Sequence, residues 1–176
     1  MLTSKPTEKL VLIKWLFKPL TLLLMLGSSQ AYALQEGQTA PQCPSALTDK
    51  GQKLDLTAYQ GKVILIDFWA TWCGPCQKSM PFLNGLRNEH LSEGFEIIAI
   101  NVDENTEEAR EFLKAHPVDY PVAFDPKGEC PGIFNVEAMP SSFFIDKAGK
   151  VRKIHLGYRD GDQTEIREQI SSLLAE

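Results

Sequence analysis

Two cysteines separated by two residues, Cys73 and Cys76, lie in the run Trp72-Cys73-Gly74-Pro75-Cys76, directly after a continuous apolar stretch and at the start of a helical pattern. That spacing lets the pair close a small disulfide with little backbone movement. A thiol at a helix N-terminus meets free backbone N–H groups and the positive end of the helix dipole, both of which favour its thiolate. The second thiol sits one turn further in. Being sheltered, it can attack only a partner already bonded to the first. The asymmetry makes Cys73 the expected nucleophile and Cys76 the expected resolving thiol of a redox-active disulfide. A zinc site would need two more ligands at metal spacing, whereas Cys43 and Cys130 are isolated, so no metal is expected. Covalent haem attachment would need histidine after the second cysteine, and residue 77 is glutamine. A purely structural disulfide remains an alternative.

The elements that must hold this pair can be read on either side of it. Val63 to Trp69 is an unbroken apolar run apart from Asp67, as suits a strand buried on both faces. From Cys73 to about Leu91 the period turns helical, with Met80, Leu83 and Leu86 on one side and a kink expected at Pro81. Phe95 to Val102 is a second buried strand. A helix capped by Thr106 should then run to about Ala115, with Ala109, Phe112 and Leu113 inward and Pro117 beyond its end. Pro121 to Phe124 is a short strand closed by the turn Asp125 to Gly128. Ser142–Ile145 and Val151–Leu156 flank Asp146-Lys147-Ala148-Gly149 as a hairpin, and Ile166, Ile170, Leu173 and Leu174 mark a final helix. Before all of these, Ser45 to Thr48 and Lys53 to Leu56 flank the turn signal Asp49-Lys50-Gly51, an opening hairpin. Strands alternating with helices, and a late hairpin, indicate an α/β domain with a mixed sheet.

The chain has 176 residues, 43% hydrophobic and 23% charged, which is ordinary for one globular domain. Its first 33 residues are set apart: Lys5, Lys9, Lys14 and Lys18, then the apolar run Leu20 to Leu26, then Ala31-Tyr32-Ala33. This is the layout of a secretory signal peptide, with an uncleaved membrane anchor as the less favoured reading because Lys14, Lys18 and Pro19 interrupt the apolar stretch. Residues 34–42 are expected as a flexible arm and residues 43–176 as the folded domain. Without the leader, 14 basic residues face 22 acidic ones, a balance that argues against nucleic acid as a partner. Export, most simply to a bacterial periplasm, would put the four cysteines where disulfides persist unless something reduces them.

The segment Ile66-Asp-Phe-Trp-Ala-Thr-Trp-Cys-Gly-Pro-Cys76 resembles the active-site segment of thioredoxins. The exported layout with a middle insertion resembles the TlpA/ResA-type thiol–disulfide oxidoreductases over about residues 41–175. The resemblance implies a thioredoxin-like fold with an N-terminal β-hairpin and an inserted α–β element. It implies that Pro140, before Ser141-Ser142-Phe143-Phe144, is the cis proline that faces the cysteine pair, leaving the Met139 backbone to pair with an extended substrate. It also implies that Asp67, six residues before the first cysteine, relays a proton to or from the resolving thiol. Thioredoxins proper place a lysine beside that aspartate in the next strand, where this chain has Ala99; many TlpA/ResA-type members carry a glutamate where this chain has Ser79. Trp72, Gly74 and Pro75 complete the expected substrate surface, and Trp69 is expected to pack inside. No catalytic role is expected of His90, His116 or His155.

If Cys73 and Cys76 pair, Cys43 and Cys130 remain, and a structural bridge between them is favoured over free thiols or a second redox relay. The function expected is a protein thiol–disulfide oxidoreductase without a cofactor. It would act on exported proteins, most simply as a reductase because Gly74-Pro75 is the dipeptide of reducing thioredoxins. By resemblance its substrates would be apocytochrome c or copper-site thiols, and a membrane-embedded thiol carrier would supply its electrons. Two other classes compete: a copper-binding chaperone using the same cysteine pair, and a peroxidase, which would not need a partner cysteine three positions on.

Overall fold

The computed structural model describes residues 34–176; the expected signal peptide, residues 1–33, lies outside them. Six strands form one sheet: β1 (Leu47–Thr48), β2 (Val63–Trp69), β3 (Phe95–Asn101), β4 (Val122–Phe124), β5 (Ser141–Ile145) and β6 (Val151–Leu156), in the order β1-β4-β3-β2-β5-β6. β2, β3 and β4 are parallel, and β1, β5 and β6 are added antiparallel, which makes the sheet mixed. The helices are α1 (Gly74–His90), α2 (Thr106–Ala115), α3 (Glu129–Phe134) and α4 (Gln163–Ala175).

Alternation along the strands divides the core in two. Val63, Leu65 and Trp69 of β2 join Ile97 of β3, Phe144 of β5, Met80, Leu83 and Leu86 of α1, and Ile166, Ile170 and Leu173 of α4. Ile64, Ile66 and Phe68 face the other way, toward Phe143, Phe134 of α3 and the early segment Cys43, Ala46, Leu54 and Leu56. β2 and β3 are buried along their whole length, as their continuous apolar runs require.

Several local expectations change. The cap of α2 is Asn105, whose side chain accepts the Glu107 N–H, and not Thr106. Helix α1 keeps its expected span, from Gly74 to His90 with Pro81 inside it. The opening hairpin keeps its turn, with Gly51 at φ 72°, but its second arm forms no strand: it is held by the bridge of Lys53 to Leu47 and by the Leu54 N–H donating to Ala46 O, while β1 pairs β4 on its other edge. Residues 34–42 lie along the β6 side of the sheet: the Gly37 N–H donates to Val151 O, the Val151 N–H to Gln38 O, and the Ala40 N–H to Gly149 O. The helix α3 has no apolar period long enough to announce it. Left-handed residues frame it, Gly128 (φ 65°) before and Asn135 (φ 53°) after.

Candidate active site

Parallel pairing of β2 with β3 carries the chain out of the sheet at Trp69, and the turn Ala70–Trp72 delivers it to the start of α1. Cys73 caps that helix: its Sγ lies 3.2 Å from the Cys76 amide, which donates to it. Pro75 in the first turn gives up no hydrogen bond there, since the first amides of a helix have no internal partner. Cys73 and Cys76 are joined in a disulfide with a Cα–Cα separation of 5.3 Å.

The turn before Cys73 is fastened from β3. The Asp103 carboxylate, buried just past the strand end, accepts from the Thr71 amide at 3.0 Å, the Thr71 hydroxyl at 3.1 Å and the Asn101 side-chain amide at 2.7 Å. Gln77 reaches back from α1 to the Thr71 carbonyl at 2.6 Å. The pattern Asn101-Val102-Asp103 after a buried strand is the sequence signal for this latch.

Exposure around the pair is uneven. In the disulfide form Cys73 is 5% exposed and Cys76 wholly buried. The open groups are the neighbours of Cys73: Trp72 is 70% exposed, and Gly74 and Pro75 are exposed beside it. Trp69 is buried against Phe112, with ring centroids 5.7 Å apart.

The second wall is the start of β5. Pairing of Phe68 with Ser141 sets Pro140 beside the end of β2, the end from which Cys73 emerges. The Met139–Pro140 peptide bond is cis. The loop is braced by the Ser141 hydroxyl donating to Ala138 O and by the Gly157 N–H donating to Pro140 O, both at 2.7 Å. Met139 is half-buried against the cluster that holds Cys73 and Cys76.

Asp67 lies mid-strand in β2, between Leu65 and Trp69 on the face that packs α1 and Cys76. It is 3% exposed, and burial pushes its carboxyl up to about 7; the Ser142 hydroxyl, donating to Oδ1 at 2.6 Å, opposes that rise. Its neighbour in β3 is Ala99, so no cation stands on that side. Burial, with a smaller contribution from the Asp67 carboxylate, raises the Tyr120 hydroxyl well above its ordinary value. Ser79 is buried and donates to the Cys76 carbonyl, a helix-internal bond that puts no charge beside the thiols. In the sequence Ser142 reads only as part of a strand; a hydroxyl in the run after the proline is the signal that marks it.

Cys43 and Cys130 are joined in a second disulfide on the opposite face of the sheet, both fully buried, with the Ser45 hydroxyl 3.2 Å from Cys130 Sγ. Among the described residues no cluster of three or more His, Cys, Asp or Glu could hold a metal ion, and no helix is long and apolar enough to cross a membrane. An open cleft of about 180 Å³, lined by Tyr59, Lys62, Ile64 and Ile145 among others, lies at the far end of β2 from the cysteine pair.

This geometry has counterparts among known proteins. Residues 35–170 match the redoxin family. A thiol-disulfide oxidoreductase ResA of Bacillus thuringiensis subsp. konkukian is 36% identical over 161 residues, 85% of this chain and 92% of that one. ResA of Bacillus subtilis is 33% identical over 71% of this chain and 69% of its own. Among solved structures, a thiol:disulfide interchange protein DsbE from Chlorobium tepidum superposes with a TM-score of 0.77 at 40% identity, covering 81% of this chain and 99% of that chain. The fold they share is thioredoxin-like, a mixed six-stranded sheet flanked by helices.

Proposed function

Since this chain belongs to the redoxin family and is a protein thiol–disulfide oxidoreductase, we propose that Cys73 and Cys76 form its working couple, used to reduce disulfides in exported proteins. One observation carries the reading: the pair closes a disulfide at the mouth of α1, where Cys73 takes the capping place that favours a thiolate and Trp72, Gly74 and Pro75 stand open beside it.

In the reducing direction the Cys73 thiolate attacks one sulfur of the substrate disulfide, and the other sulfur leaves as a thiolate. Cys76 then attacks Cys73 Sγ while Asp67 accepts the Cys76 proton. The second substrate thiolate departs, the protein pair is oxidised, and the substrate gains two electrons. The cis peptide before Pro140 presents the Met139 backbone to an extended substrate strand. A donor dithiol must reopen the Cys73–Cys76 bond in each cycle; a membrane thiol-transfer protein fits an exported enzyme whose leader, residues 1–33, is removed. Thiols awaiting haem in apocytochrome c, or those of a copper site, are the substrate classes that the likeness to ResA and DsbE favours.

Trapping tests the reading. Cys76→Ser should hold mixed disulfides on Cys73, and mass spectrometry of the trapped species names the partners. Failure to trap any exported protein, together with failure of the native protein to reduce insulin, overturns it.

A further inference from the structure

Asp67 is sealed from water, and Ala99 closes the β3 side of it, yet the proton it takes up must leave before the next cycle. The sheet register shows where an exit exists. Asp67 pairs with Ser142 across β2 and β5, and Ser142 pairs with His155 across β5 and β6. Residues directly opposite in adjacent antiparallel strands project from the same face with Cβ atoms about 5 Å apart. The three side chains therefore form one polar row across a face that is otherwise packed with Leu65, Phe144 and Trp69. The first link is a hydrogen bond, Ser142 Oγ to Asp67 Oδ1 at 2.6 Å. The outer link is His155 Nε2 with Asp162 Oδ2 at 3.3 Å, where the two side chains are 13% and 25% exposed. Asp162 stands just before α4, the helix that covers this face.

We propose that Ser142, His155 and Asp162 form a proton exit from Asp67 to solvent, with His155 as its positioning residue. The inference rests on the reading of Asp67 as proton acceptor. The step balances without a co-reactant. Protonated Asp67 donates to Ser142 Oγ as the Ser142 hydroxyl proton passes to His155 Nδ1, directly or through one water; the proton on Nε2 then leaves to Asp162 or water. Ser142 ends unchanged, and one proton has crossed from the core to the surface. A hydroxyl can accept one hydrogen bond while donating another, which is what the middle position needs. The charged groups around the row are few. Lys153 and Glu165 pair one position along the same face, Arg159 precedes Asp162 and donates its amide to it, and Tyr158 and Tyr120 supply hydroxyls on the helix-covered side.

The test follows release of the second thiolate from a chromophoric aromatic disulfide by stopped flow, in the full mature protein, from about pH 6 to about pH 9. Near pH 6 Asp67 starts protonated and must be emptied through the row. There His155→Ala should resolve about tenfold more slowly than the native protein, converge with it near pH 9, and keep the native reduction potential; added imidazole should restore it. Asp162→Asn, on the surface, should give a smaller slowing of the same pH shape, and serves if a row variant fails to fold. Native rates at pH 6 in these variants overturn the proposal. So does a slowing equal at every pH that imidazole does not relieve. The outcomes separate the two readings: if Asp67→Asn leaves resolution unchanged, the acceptor role falls, whereas if Asp67→Asn slows resolution and His155→Ala does not, only the exit falls.

Discussion

The two disulfides hold their Cα atoms at nearly equal distances, 5.3 Å for Cys73–Cys76 and 5.4 Å for Cys43–Cys130, but the sheet separates them into opposite environments. Cys73–Cys76 closes a sequence separation of 3 at a helix start with open neighbours, beside a buried acid that holds its proton near neutrality. Cys43–Cys130 closes a separation of 87 beneath Phe68, Phe134 and Phe143, whose rings meet at 5.1 to 5.8 Å, and neither sulfur reaches the surface. Exchange requires a thiolate to approach one sulfur in line with the bond. The second bridge is wholly buried, whereas the first has Trp72, Gly74 and Pro75 exposed beside it. Chemistry here follows access and proton supply, not the presence of a disulfide.

The largest expected effect comes from breaking the open member of the comparison. Cys73→Ser should abolish insulin reduction, a loss on the order of a thousandfold or more. Cys76→Ser should also stop turnover but keep the first attack, so a mixed disulfide accumulates. Breaking the closed member should do the reverse. The double variant Cys43→Ala/Cys130→Ala should lose up to roughly 4 kcal/mol of stability in urea, as expected for releasing so long a loop, while insulin reduction by the folded protein stays within about twofold. A large loss of turnover in the double variant would place Cys43–Cys130 in the redox cycle and dissolve the contrast.

Asp67 sharpens the comparison from the stability side. Its carboxyl is raised in the folded protein from 3.8 to about 7. Below the lower value both folded and unfolded chains are protonated. Between the two the unfolded chain gives up its proton and the folded one keeps it, so stability falls as pH rises through that window and levels off above about 7. The full loss is on the order of 4 kcal/mol. Asp67→Asn carries no such burden, so its stability advantage over the native protein should grow from pH 4 to pH 7 by a few kcal/mol and then stay constant, measured by urea denaturation at each pH. The same variant should remove the rise in resolution rate with pH. A flat difference across the window would mean the carboxyl is not desolvated. On the proposed reading, the region around Cys73–Cys76 gives up stability to hold a proton acceptor, whereas the bridge Cys43–Cys130 serves stability alone.

What could be read from the chain follows the same division. The strands β2 and β3 and helix α1 declare themselves through apolar runs and period, and they carry the cysteines and Asp67 with them. The hydrogen-bonding partners do not. Ser142 reaches Asp67 only through the β2–β5 register, Asp103 fastens Thr71 only because β3 ends beside the active-site turn, and His155 joins the row only through β6. The first two pairings link residues far apart in sequence, and the third depends on a register shift at Phe144/Ile145 inside the expected hairpin; periodicity within one segment is blind to register between two. The short helix α3 is illegible for another reason: six residues framed by two left-handed positions make too brief a pattern to distinguish from a turn.

The smallest expected effect tests the surface beside the open disulfide. Trp72 is the most exposed large apolar side chain among those described, at 70%, directly before Cys73. An indole left in water costs free energy that a protein partner could recover on docking, and tryptophan is enriched among residues that dominate interfaces. Removing it should therefore weaken binding of protein substrates and leave the thiol chemistry intact. Trp72→Ala should raise KM for a protein disulfide about five- to tenfold, equivalent to about 1 kcal/mol, with kcat nearly unchanged. A small aromatic disulfide, too short to reach past the cysteine pair, should react at the native rate. If the small and protein substrates slow together, the indole acts on Cys73 itself, by shielding the sulfur or positioning the turn that Asp103 fastens, and Thr71→Val should then reproduce the effect.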